Sequence, residues 1–380
     1  MKKILIIMIV FLGCIIVNFN MVNAVSDINL NAKNAILYDR KCKRVLYEKN
    51  AKEKVPNAST TKILTAIVVV ESCDVNEMAE ISQNAVNVTG SKVKFRKGDK
   101  ITVNDLINGM LLCSGNDAAI ALAEHVAGNV SNFCQMMNVK AKKIGAMNTN
   151  FLTPHGLDEE GHYSTAYDLA IIADYALNIP YLANIFMKKT EIIHINKIPR
   201  NISTTNEMLH VYPKANGIKT GFTNDAGRCL VTSATDEEGW QIISVVLGCD
   251  TKKFRTQDSK KLLDYGFENY DIVDIGSVLP NKIIFEVEKS LEKAYKIDMK
   301  YEFLYPVTED EKGKIRYKEK IVGNLVAPVP KNVKIAEYQL LLGENIITEV
   351  EVKLDEIIER KDEKIYFWEL LNKISKSIKM

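Results

Sequence analysis

Residues 59–70 read STTKILTAIVVV, and this stretch decides the fold. The apolar run 63–70 predicts a buried helix, although its periodicity leaves a buried strand open. Ser59 precedes the run, and serine favours the first positions of a helix, where backbone N–H groups lack partners within the helix. Lys62 would then lie one turn further on, beside the Ser59 hydroxyl. In the alternative interpretation Ser59 only caps the helix and Lys62 lies on the surface.

The pattern Ser-x-x-Lys occurs three times, at residues 59–62, 91–94 and 290–293. Both amino acids are common, so chance matches are expected. Residues 91–94 are followed by the charged segment 95–99 rather than by an apolar run, and residues 290–293 lie in a β-rich part of the chain. Only Ser59 is predicted to lie at the start of a buried helix, which favours it as a nucleophile.

A second polar motif, SGN at residues 114–116, is predicted to form the turn between helices at 106–113 and 117–127. A hydroxyl in such a turn can relay a proton to a leaving amine, and an amide can bind the carbonyl and N–H groups of a substrate. The spacing alone is not specific, because residues 82–84 read SQN and both residue types are ordinary in turns.

The third motif, KTG at residues 219–221, occurs once and lies in a predicted strand at 217–223. The glycine, Gly221, allows a substrate backbone to approach the edge of the strand. The lysine supplies positive potential, and the hydroxyls of Thr220 and Thr223 can bind a carboxylate.

Several neighbouring segments predict regular structure. A hairpin is predicted at 34–48, and a second one from the apolar runs 228–234 and 240–248 on either side of a charged turn. Residues 260–267 predict a helix. Strand-like and helix-like segments are therefore mixed through this part of the chain, without an internal repeat.

The three motifs together indicate a serine enzyme that transfers an acyl group from a peptide-like carbonyl. A lysine with an ordinary pKa is protonated at neutral pH and cannot accept a proton. Burial and a neighbouring cation such as Lys219 both disfavour the charged form. We therefore predict that Lys62 is the general base for Ser59.

The histidines and cysteines do not indicate a metal site. His155 and His162 lie near acidic residues but lack a zinc-binding spacing, and there is no CxxC pair or His/Cys cluster. No metal and no cofactor are predicted. A structural disulfide among the cysteines is possible but not indicated.

Composition limits the partners. The chain has 380 residues, 50 basic and 48 acidic, with a formal net charge of +2. No excess of positive charge is present for nucleic acid, so no nucleic-acid partner is predicted. The length suits two domains, since single cores usually stop growing near about 250 residues.

The N-terminus predicts export. The first residues are basic, residues 4–17 are apolar, and VNA at 22–24 offers a cleavage site, so residues 1–24 are predicted to be a secretion signal. In the alternative, Cys14 would be modified by lipid. The apolar run continues beyond Cys14 and Phe11 fits a lipid-modification motif poorly, which favours the secretion signal.

The C-terminal part of the chain has a different residue pattern, with short β-rich segments between charged turns. A small β-rich domain is predicted at 276–355. Its predicted strands are 283–287, 301–305, 315–317 and 346–354. Nothing in it indicates a catalytic site, so we interpret it as a spacer or binding module. The domain predicted before it covers residues 25–270.

The tail, residues 356–380, is predicted to be an amphipathic helix that lies in a membrane interface. Its apolar residues at helical spacing are Phe367, Leu370, Leu371, Ile374 and Ile378. Lysines add positive charge, and the segment is too short and too charged to span a bilayer. Alternatively, the same apolar stripe packs against the β-rich domain.

With these motifs the sequence resembles the low-molecular-mass penicillin-binding proteins that act as D-alanyl-D-alanine carboxypeptidases. Further matching segments are SGNDAA at 114–119, FLTPHGL at 151–157, STAYDLA at 164–170 and GIKTGFTNDAGRC at 217–229. The likeness covers most of residues 30–270 and extends more weakly through the β-rich domain and the tail.

The resemblance implies an α/β (α+β) fold of the β-lactamase/transpeptidase type, in which helices flank an antiparallel sheet and a β-rich domain follows. It implies an enzyme held on the outer face of the cytoplasmic membrane that removes the terminal D-alanine from peptidoglycan stem peptides and is inhibited by β-lactams. The implied catalytic residues are Ser59 as nucleophile, Lys62 as base and Ser114 as proton shuttle. The implied substrate-binding residues are Asn116, Lys219, Thr220, Gly221, Phe222, Thr223 and Arg255.

Within this set the backbone N–H groups of Ser59 and Phe222 would form the oxyanion hole. Arg255 resembles the carboxylate-binding arginine of the family, although it lies in the segment 255–263 rather than in a tight motif.

Two other functions compete with this one. A serine β-lactamase needs a second base for deacylation, and no E-x-x-L-N segment lies between the second and third motifs. The SGN motif, where β-lactamases commonly have SDN, also favours the carboxypeptidase. A non-catalytic protein that senses muropeptides or β-lactams would not need the intact set of Ser59, Lys62, Ser114 and Lys219.

Overall fold

A computed structural model describes residues 28–362 and, in the tail, residues 364, 367, 368, 371, 374 and 375. The predicted secretion signal lies outside the described residues. The described chain forms two compact units, one ending at Asn269 and the other beginning at Tyr270.

The first unit contains nine strands and nine α-helices among its described residues. The strands are β1 (Asn34–Asp39), β2 (Val45–Lys49), β3 (Met78–Glu80), β4 (Lys100–Thr102), β5 (Thr190–Ile195), β6 (Ile198–Ser203), β7 (Ala215–Thr223), β8 (Gly227–Thr235) and β9 (Gln241–Cys249). The helices are α1 (Lys62–Ser72), α2 (Gln83–Asn87), α3 (Val103–Leu112), α4 (Asn116–Ala127), α5 (Val130–Lys143), α6 (Ala166–Leu177), α7 (Pro180–Phe186), α8 (Met208–Val211) and α9 (Lys252–Asn269).

An antiparallel sheet with the strand order β2-β1-β9-β8-β7 forms the centre of this unit. Both predicted hairpins are confirmed, as β1–β2 and as β8–β9. The predicted strand at 217–223 is also confirmed, as part of β7. The first and last strands of this unit lie side by side in the sheet, because β1 pairs with β9.

Both faces of the sheet are buried, and β9 shows how. Ile243 and Val245 belong to the hydrophobic core that includes α1. Ile242 points to the other face, where a Cβ added at Gly266 of α9 would lie 2.8 Å from Ile242 Cδ1 and 2.9 Å from Leu37 Cδ2. Alternate residues of one strand therefore pack against different helices, which explains why the strand is apolar along its length.

Helix α1 runs through the core, and residues 62–69 are all buried. The prediction of a buried helix at 63–70 is therefore confirmed, and the strand alternative was wrong. The helices on either side of the SGN motif are confirmed as α3 and α4, with Asn116 as the first residue of α4. The helix predicted at 260–267 is the second half of the longer α9.

The second unit is built from short strands. They are β10 (Asp271–Asp274), β11 (Lys282–Glu288), β12 (Ala294–Asp298), β13 (Leu304–Val307), β14 (Ile315–Ile321), β15 (Leu325–Val326), β16 (Lys334–Leu342) and β17 (Asn345–Lys353), with one helix, α10 (Glu309–Lys312). Three sheets result, with the orders β10-β13, β12-β11-β15 and β14-β16-β17.

The strands predicted at 283–287, 315–317 and 346–354 are confirmed in β11, β14 and β17. The strand predicted at 301–305 was largely wrong, because β13 begins only at Leu304. Sequence analysis also missed β16, whose consecutive leucines at 340–342 hide the alternation expected of a half-buried strand.

Among the described residues, no single helix is long and apolar enough to cross a membrane. One sharply bent pair, Ala166–Leu177 with Pro180–Phe186, reaches the required length and hydropathy together.

Candidate active site

Ser59 lies in a short 3₁₀ turn, Ala58–Thr61, that leads directly into α1. The turn is held by Asn57, whose side-chain nitrogen donates to the hydroxyls of Thr60 and Thr61, each at 3.0 Å. Ala58 has φ 48°, a strained backbone conformation for a residue with a side chain. The predicted position of Ser59 thus needs a small correction: the α-helix begins at Lys62, and Ser59 is half-buried in the tighter turn that precedes it.

Lys62 is fully buried, and its amine contacts three oxygens. Nζ lies 2.8 Å from Ser59 Oγ, 2.7 Å from Asn116 Oδ1 and 2.8 Å from the carbonyl oxygen of His155. The amide of Asn116 is oriented by its nitrogen, which donates to the carbonyl of Thr89 at 2.7 Å. Asn116 Oδ1 and the His155 carbonyl can only accept hydrogen bonds, so a neutral amine gives them both of its protons. Its lone pair then faces the hydroxyl of Ser59.

The electrostatic surroundings favour this neutral form. Burial lowers the pKa of Lys62 well below its usual value, and the charge of Lys219 lowers it further, while Asp117 opposes the shift. Burial, followed by the charge of Arg255, lowers the pKa of Lys219 to about 7. Both shifts follow from desolvation and like charges. The contacts of Lys62 and the direction of its pKa shift are those that a general base requires.

The SGN motif is fixed by contacts on both sides. Ser114 is buried and has φ 58°, a left-handed conformation that reverses the chain between α3 and α4. The backbone N–H of Asn116 donates to the carbonyl of Ser91 at 2.7 Å. Asp117 accepts hydrogen bonds from the backbone N–H groups of residues 93–95. The loop between α2 and β4 therefore secures the amide that contacts Lys62.

The KTG motif passes close to the turn that carries the nucleophile. A Cβ added at Gly221 would lie 3.1 Å from Ser59 N and 3.1 Å from Ala58 Cβ, closer than side chains normally pack. The glycine is therefore required for the approach of β7 to the 3₁₀ turn, before any substrate is considered. Lys219 is buried on the same strand, and its Nζ donates to the carbonyl of Thr220 at 3.0 Å.

The two threonines of this strand have different surroundings. Thr220 Oγ1 lies 2.8 Å from Thr205 Oγ1, and this contact uses only one of the two hydroxyl protons of the pair. Thr223 Oγ1 donates to Asp158 at 2.6 Å and accepts from the N–H of Ala226 at 3.1 Å. The pair of Thr205 and Thr220 therefore retains one hydroxyl proton that can be donated to a carboxylate. The hydroxyl proton of Thr223 is already donated to the carboxylate of Asp158.

Phe222 and Arg255 complete the predicted set. The ring of Phe222 is exposed and lies 3.5 Å beneath the guanidinium of Arg228. Arg255, on α9, is 3% exposed and forms an ion pair with Glu207. Its charge acts on Lys219, which places the two cations in the same part of the unit.

His162 supports the site in a way that sequence analysis missed. Its Nε2 lies 3.1 Å from Thr61 Oγ1, and its Nδ1 accepts the backbone N–H of Leu152 at 3.1 Å. Nδ1 is therefore the unprotonated nitrogen of a neutral ring. Burial lowers its pKa to about 4. The ring therefore links the 3₁₀ turn to the segment that contains Leu152.

His155 and Gly156 were also missed as parts of the site. His155 contributes its backbone carbonyl to Lys62, and burial lowers the pKa of its ring to about 3. Gly156 has φ +82°, and a Cβ there would lie 1.9 Å from the carbonyl oxygen of Ala58. No larger residue fits this position. The segment FLTPHGL at 151–157 was quoted for its resemblance to the family, but the histidines had been assigned no role.

The competing motifs lie elsewhere. Ser91 and Lys94 are exposed on a loop. Ser290 is buried, and its hydroxyl donates to the carbonyl of Val287 at 2.6 Å, as in an ordinary turn. Ser82 caps α2. None of these serines has the surroundings of Ser59.

Within the described part of the chain, no group of three or more His, Cys, Asp or Glu side chains is arranged to hold a metal ion. The six cysteines of the same part form no disulfide.

Comparisons with known proteins agree with this geometry. The profile of the D-alanyl-D-alanine carboxypeptidase family matches residues 21–251. D-alanyl-D-alanine carboxypeptidase DacF of Bacillus subtilis is 31% identical over 339 residues, which cover 87% of each chain. Among solved structures, penicillin-binding protein 5 of Haemophilus influenzae is 30% identical, with a TM-score of 0.74 over 88% of this chain and 100% of that one. Penicillin-binding protein D2 of Listeria monocytogenes, solved in its ampicillin-bound form, is 30% identical, with a TM-score of 0.58 over 64% of this chain and 100% of that one.

Proposed function

The chain belongs to the D-alanyl-D-alanine carboxypeptidase family, and from this premise we propose that Ser59 removes the terminal D-alanine of peptidoglycan stem peptides through an acyl-enzyme. The observation that supports this most strongly is the set of contacts around Lys62. Two acceptor oxygens take the protons of its neutral amine, and the third contact is the hydroxyl of Ser59. A nucleophile and a base within hydrogen-bond distance are the minimum for this chemistry.

The proposed reaction assigns a step to each of these groups. Ser59 Oγ attacks the carbonyl of the penultimate D-alanine while its proton passes to Lys62 Nζ. The backbone N–H groups of Ser59 and Phe222 stabilise the oxyanion. Ser114 relays a proton to the nitrogen of the leaving D-alanine, and water later hydrolyses the ester on Ser59.

The terminal carboxylate of the substrate binds at the cationic end of the site. Lys219, Thr220 and Arg255 supply the positive charge and the donors. Thr223 belongs to the binding set by resemblance to the family, and its bond to Asp158 suits it to fixing the adjacent loop. Asn116 binds the substrate backbone with the second N–H of its amide, because the first donates to the carbonyl of Thr89 and Oδ1 contacts Lys62.

β-Lactams present a strained amide and a carboxylate in a similar arrangement, so we expect them to acylate the same serine. The ampicillin-bound form of the Listeria protein supports this expectation. The acyl-enzyme formed would be long-lived because no second base of the β-lactamase type was found in the sequence.

Mass spectrometry after treatment with fluorescent penicillin tests the assignment. A single adduct is expected on the peptide that contains Ser59, together with release of D-alanine from an acetylated D-Ala-D-Ala peptide by the untreated protein. An adduct on another residue would refute Ser59 as the nucleophile. A stoichiometric burst without steady release of D-alanine would instead favour a non-catalytic sensor.

We further propose that the protein is exported and held on the outer face of the cytoplasmic membrane by its tail. The six tail residues that the structure describes are helical. Four of them are large and apolar yet exposed, Phe367, Trp368, Leu371 and Ile374, and Trp368 is 65% exposed. Exposed apolar residues at helical spacing support an interfacial helix. The lysines at 373, 376 and 379 would favour anionic lipid.

Sedimentation with lipid vesicles tests the anchor. A chain that starts after residue 24 is expected to pellet with anionic vesicles at low salt, whereas one that also ends at Glu356 stays in the supernatant and is still acylated by penicillin. Vesicles of neutral lipid serve as the control. If the longer chain also stays in the supernatant, the tail belongs to the fold and the anchor is refuted.

A further inference from the structure

The segment 204–207 connects β6 to α8 and contacts two parts of the candidate site. Thr205 Oγ1 lies 2.8 Å from Thr220 Oγ1 of the KTG motif. Two residues later, the Glu207 carboxylate forms an ion pair with Arg255 of α9. The reaction described above uses Thr220 and Arg255 but gives Glu207 no role.

Arg255 is only partly satisfied by this contact. The side chain is 3% exposed, and Nη2 donates to Glu207 Oε2. Its Nε is buried and has no hydrogen-bond partner among the described residues. A guanidinium has five N–H donors, and a buried donor without a partner is costly. Arg255 is therefore prepared for a further acceptor.

Among the described residues, the recorded side-chain contacts of Glu207 come from α9. Its carboxylate lies 3.4 Å from Thr256 Oγ1 and 4.0 Å from Lys252 Nζ, both on α9, and the side chain is 41% exposed. A partly exposed carboxylate can leave its partner at much lower cost than the buried guanidinium can. When a competing anion arrives, Glu207 is the member of the pair that moves.

We propose that Glu207 determines specificity by occupying Arg255 in the free enzyme as a stand-in for the terminal carboxylate of the substrate. The inference rests on the proposed function, in which Arg255 binds that carboxylate. A ligand with a terminal carboxylate must displace or share the place of Glu207, so Glu207 weakens the binding of every such ligand. Between turnovers, Glu207 also provides a counter-ion for the buried guanidinium of Arg255.

The variant Glu207→Gln tests this, because it keeps the shape of the side chain and removes its charge. The expected result is a fall in KM for a D-Ala-D-Ala peptide of about threefold to tenfold, with kcat within about twofold, since only ground-state competition is removed. Acylation by penicillin should accelerate by a similar factor, while acylation by its methyl ester should not change. Glu237→Gln is the matched control, since it removes the same charge from an exposed turn, and Glu207→Asp, which keeps the charge, should retain a KM near that of the unaltered protein.

The other outcomes overturn the proposal. A higher KM in Glu207→Gln would show that Glu207 positions Arg255 for the substrate. No change, or the same change with penicillin and with its ester, would show that no competition for a carboxylate exists. If the unaltered protein releases no D-alanine, the proposed function fails by itself, and the comparison of penicillin with its ester still decides the role of Glu207. If no β-lactam acylates the unaltered protein, both fail together.

Discussion

The motif lysines of the first unit and two lysines of the second unit have pKa values that are shifted in opposite directions. In the first unit, burial lowers the pKa of Lys62 well below its usual value and that of Lys219 to about 7. In the second unit, Lys312 is exposed and Lys334 is half-buried, and hydrogen bonds to acidic side chains raise the pKa of both, that of Lys312 to about 12. The pKa of the same side chain is therefore lowered by burial in one unit and raised by acidic partners in the other.

The difference extends to other polar groups. The first unit also buries Arg255, Asn116 and Asp117 in its catalytic region, whereas the buried polar side chains described in the second unit are Ser290 and Glu311. Burying polar and charged groups costs stability unless each is well partnered. The first unit therefore has this cost in stability at its catalytic region, and the second unit has little of it. This contrast predicts which substitutions change activity and which leave it unaltered.

Removing the nucleophile should have the largest effect. Ser59→Ala deletes one half-buried hydroxyl and disturbs no core packing, so the protein is expected to fold. Its penicillin labelling and D-alanine release should fall by at least about 10³-fold. The measurement is labelling on a gel beside a thermal unfolding curve. Persistent labelling of the variant, on Ser91 or on Ser290 of the second unit, would contradict the assignment of Ser59 as the nucleophile.

The lysine base should respond to charge in an unusual way. Lys62→Arg is expected to lose about 10²–10⁴-fold in acylation rate, almost as much as Lys62→Ala, because an arginine keeps the positive charge but cannot give up a proton. The measurement is the second-order rate of penicillin acylation. Near-normal acylation by the arginine variant would mean that Lys62 supplies only charge, as the surface lysines do.

Arg255→Ala should lower activity less, and selectively. A hydrogen bond to a charged group contributes about 1.5–3 kcal/mol, which corresponds to about tenfold to a hundredfold in kcat/KM. The loss is expected for peptides with a free terminal carboxylate and not for analogues with a terminal amide. Equal losses on both kinds of peptide would remove Arg255 from the binding site.

The smallest effects concern stability. Lys219→Met should abolish function but stabilise the fold by about 1–2 kcal/mol, because a buried cation is replaced by an apolar side chain of similar length. Lys334→Met, in the second unit, should change stability by less than about 0.5 kcal/mol, since exposed ion pairs contribute little. Thermal unfolding of both variants measures these changes in stability. The prediction is contradicted if Lys334→Met stabilises the protein and Lys219→Met destabilises it.

The stability difference should also depend on pH. The folded-state pKa of Lys219 lies at about 7, below its unfolded value of 10.5. Between these values the unfolded chain binds one more proton than the folded one, so the stability of the unaltered protein rises with pH. The advantage of Lys219→Met should therefore shrink as pH rises from about 7 toward 10.5. An advantage that grows with pH over this window would contradict the lowered pKa.

The sequence by itself determined the parts whose signals are local. A serine and a lysine one turn apart before an apolar run indicated α1, and the charged turns between β-rich runs indicated both hairpins of the central sheet. A single KTG motif in a predicted strand indicated β7. These inferences succeed because the periodicity of side chains and the chemistry of turns act over a few neighbouring residues. Strand β16 was missed because its own residues break that periodicity.

The tertiary structure alone decided how the groups meet. Lys62 takes one acceptor from Asn116, 54 residues away, and another from the carbonyl of His155, 93 residues away. Glu207 reaches Arg255 across 48 residues. Every residue has a backbone carbonyl and acidic residues are common, so no sequence pattern marks the ones that will face a buried cation. The packing of distant segments against α1 and α9 buries these side chains, and burial is the main cause of the lowered pKa of Lys62.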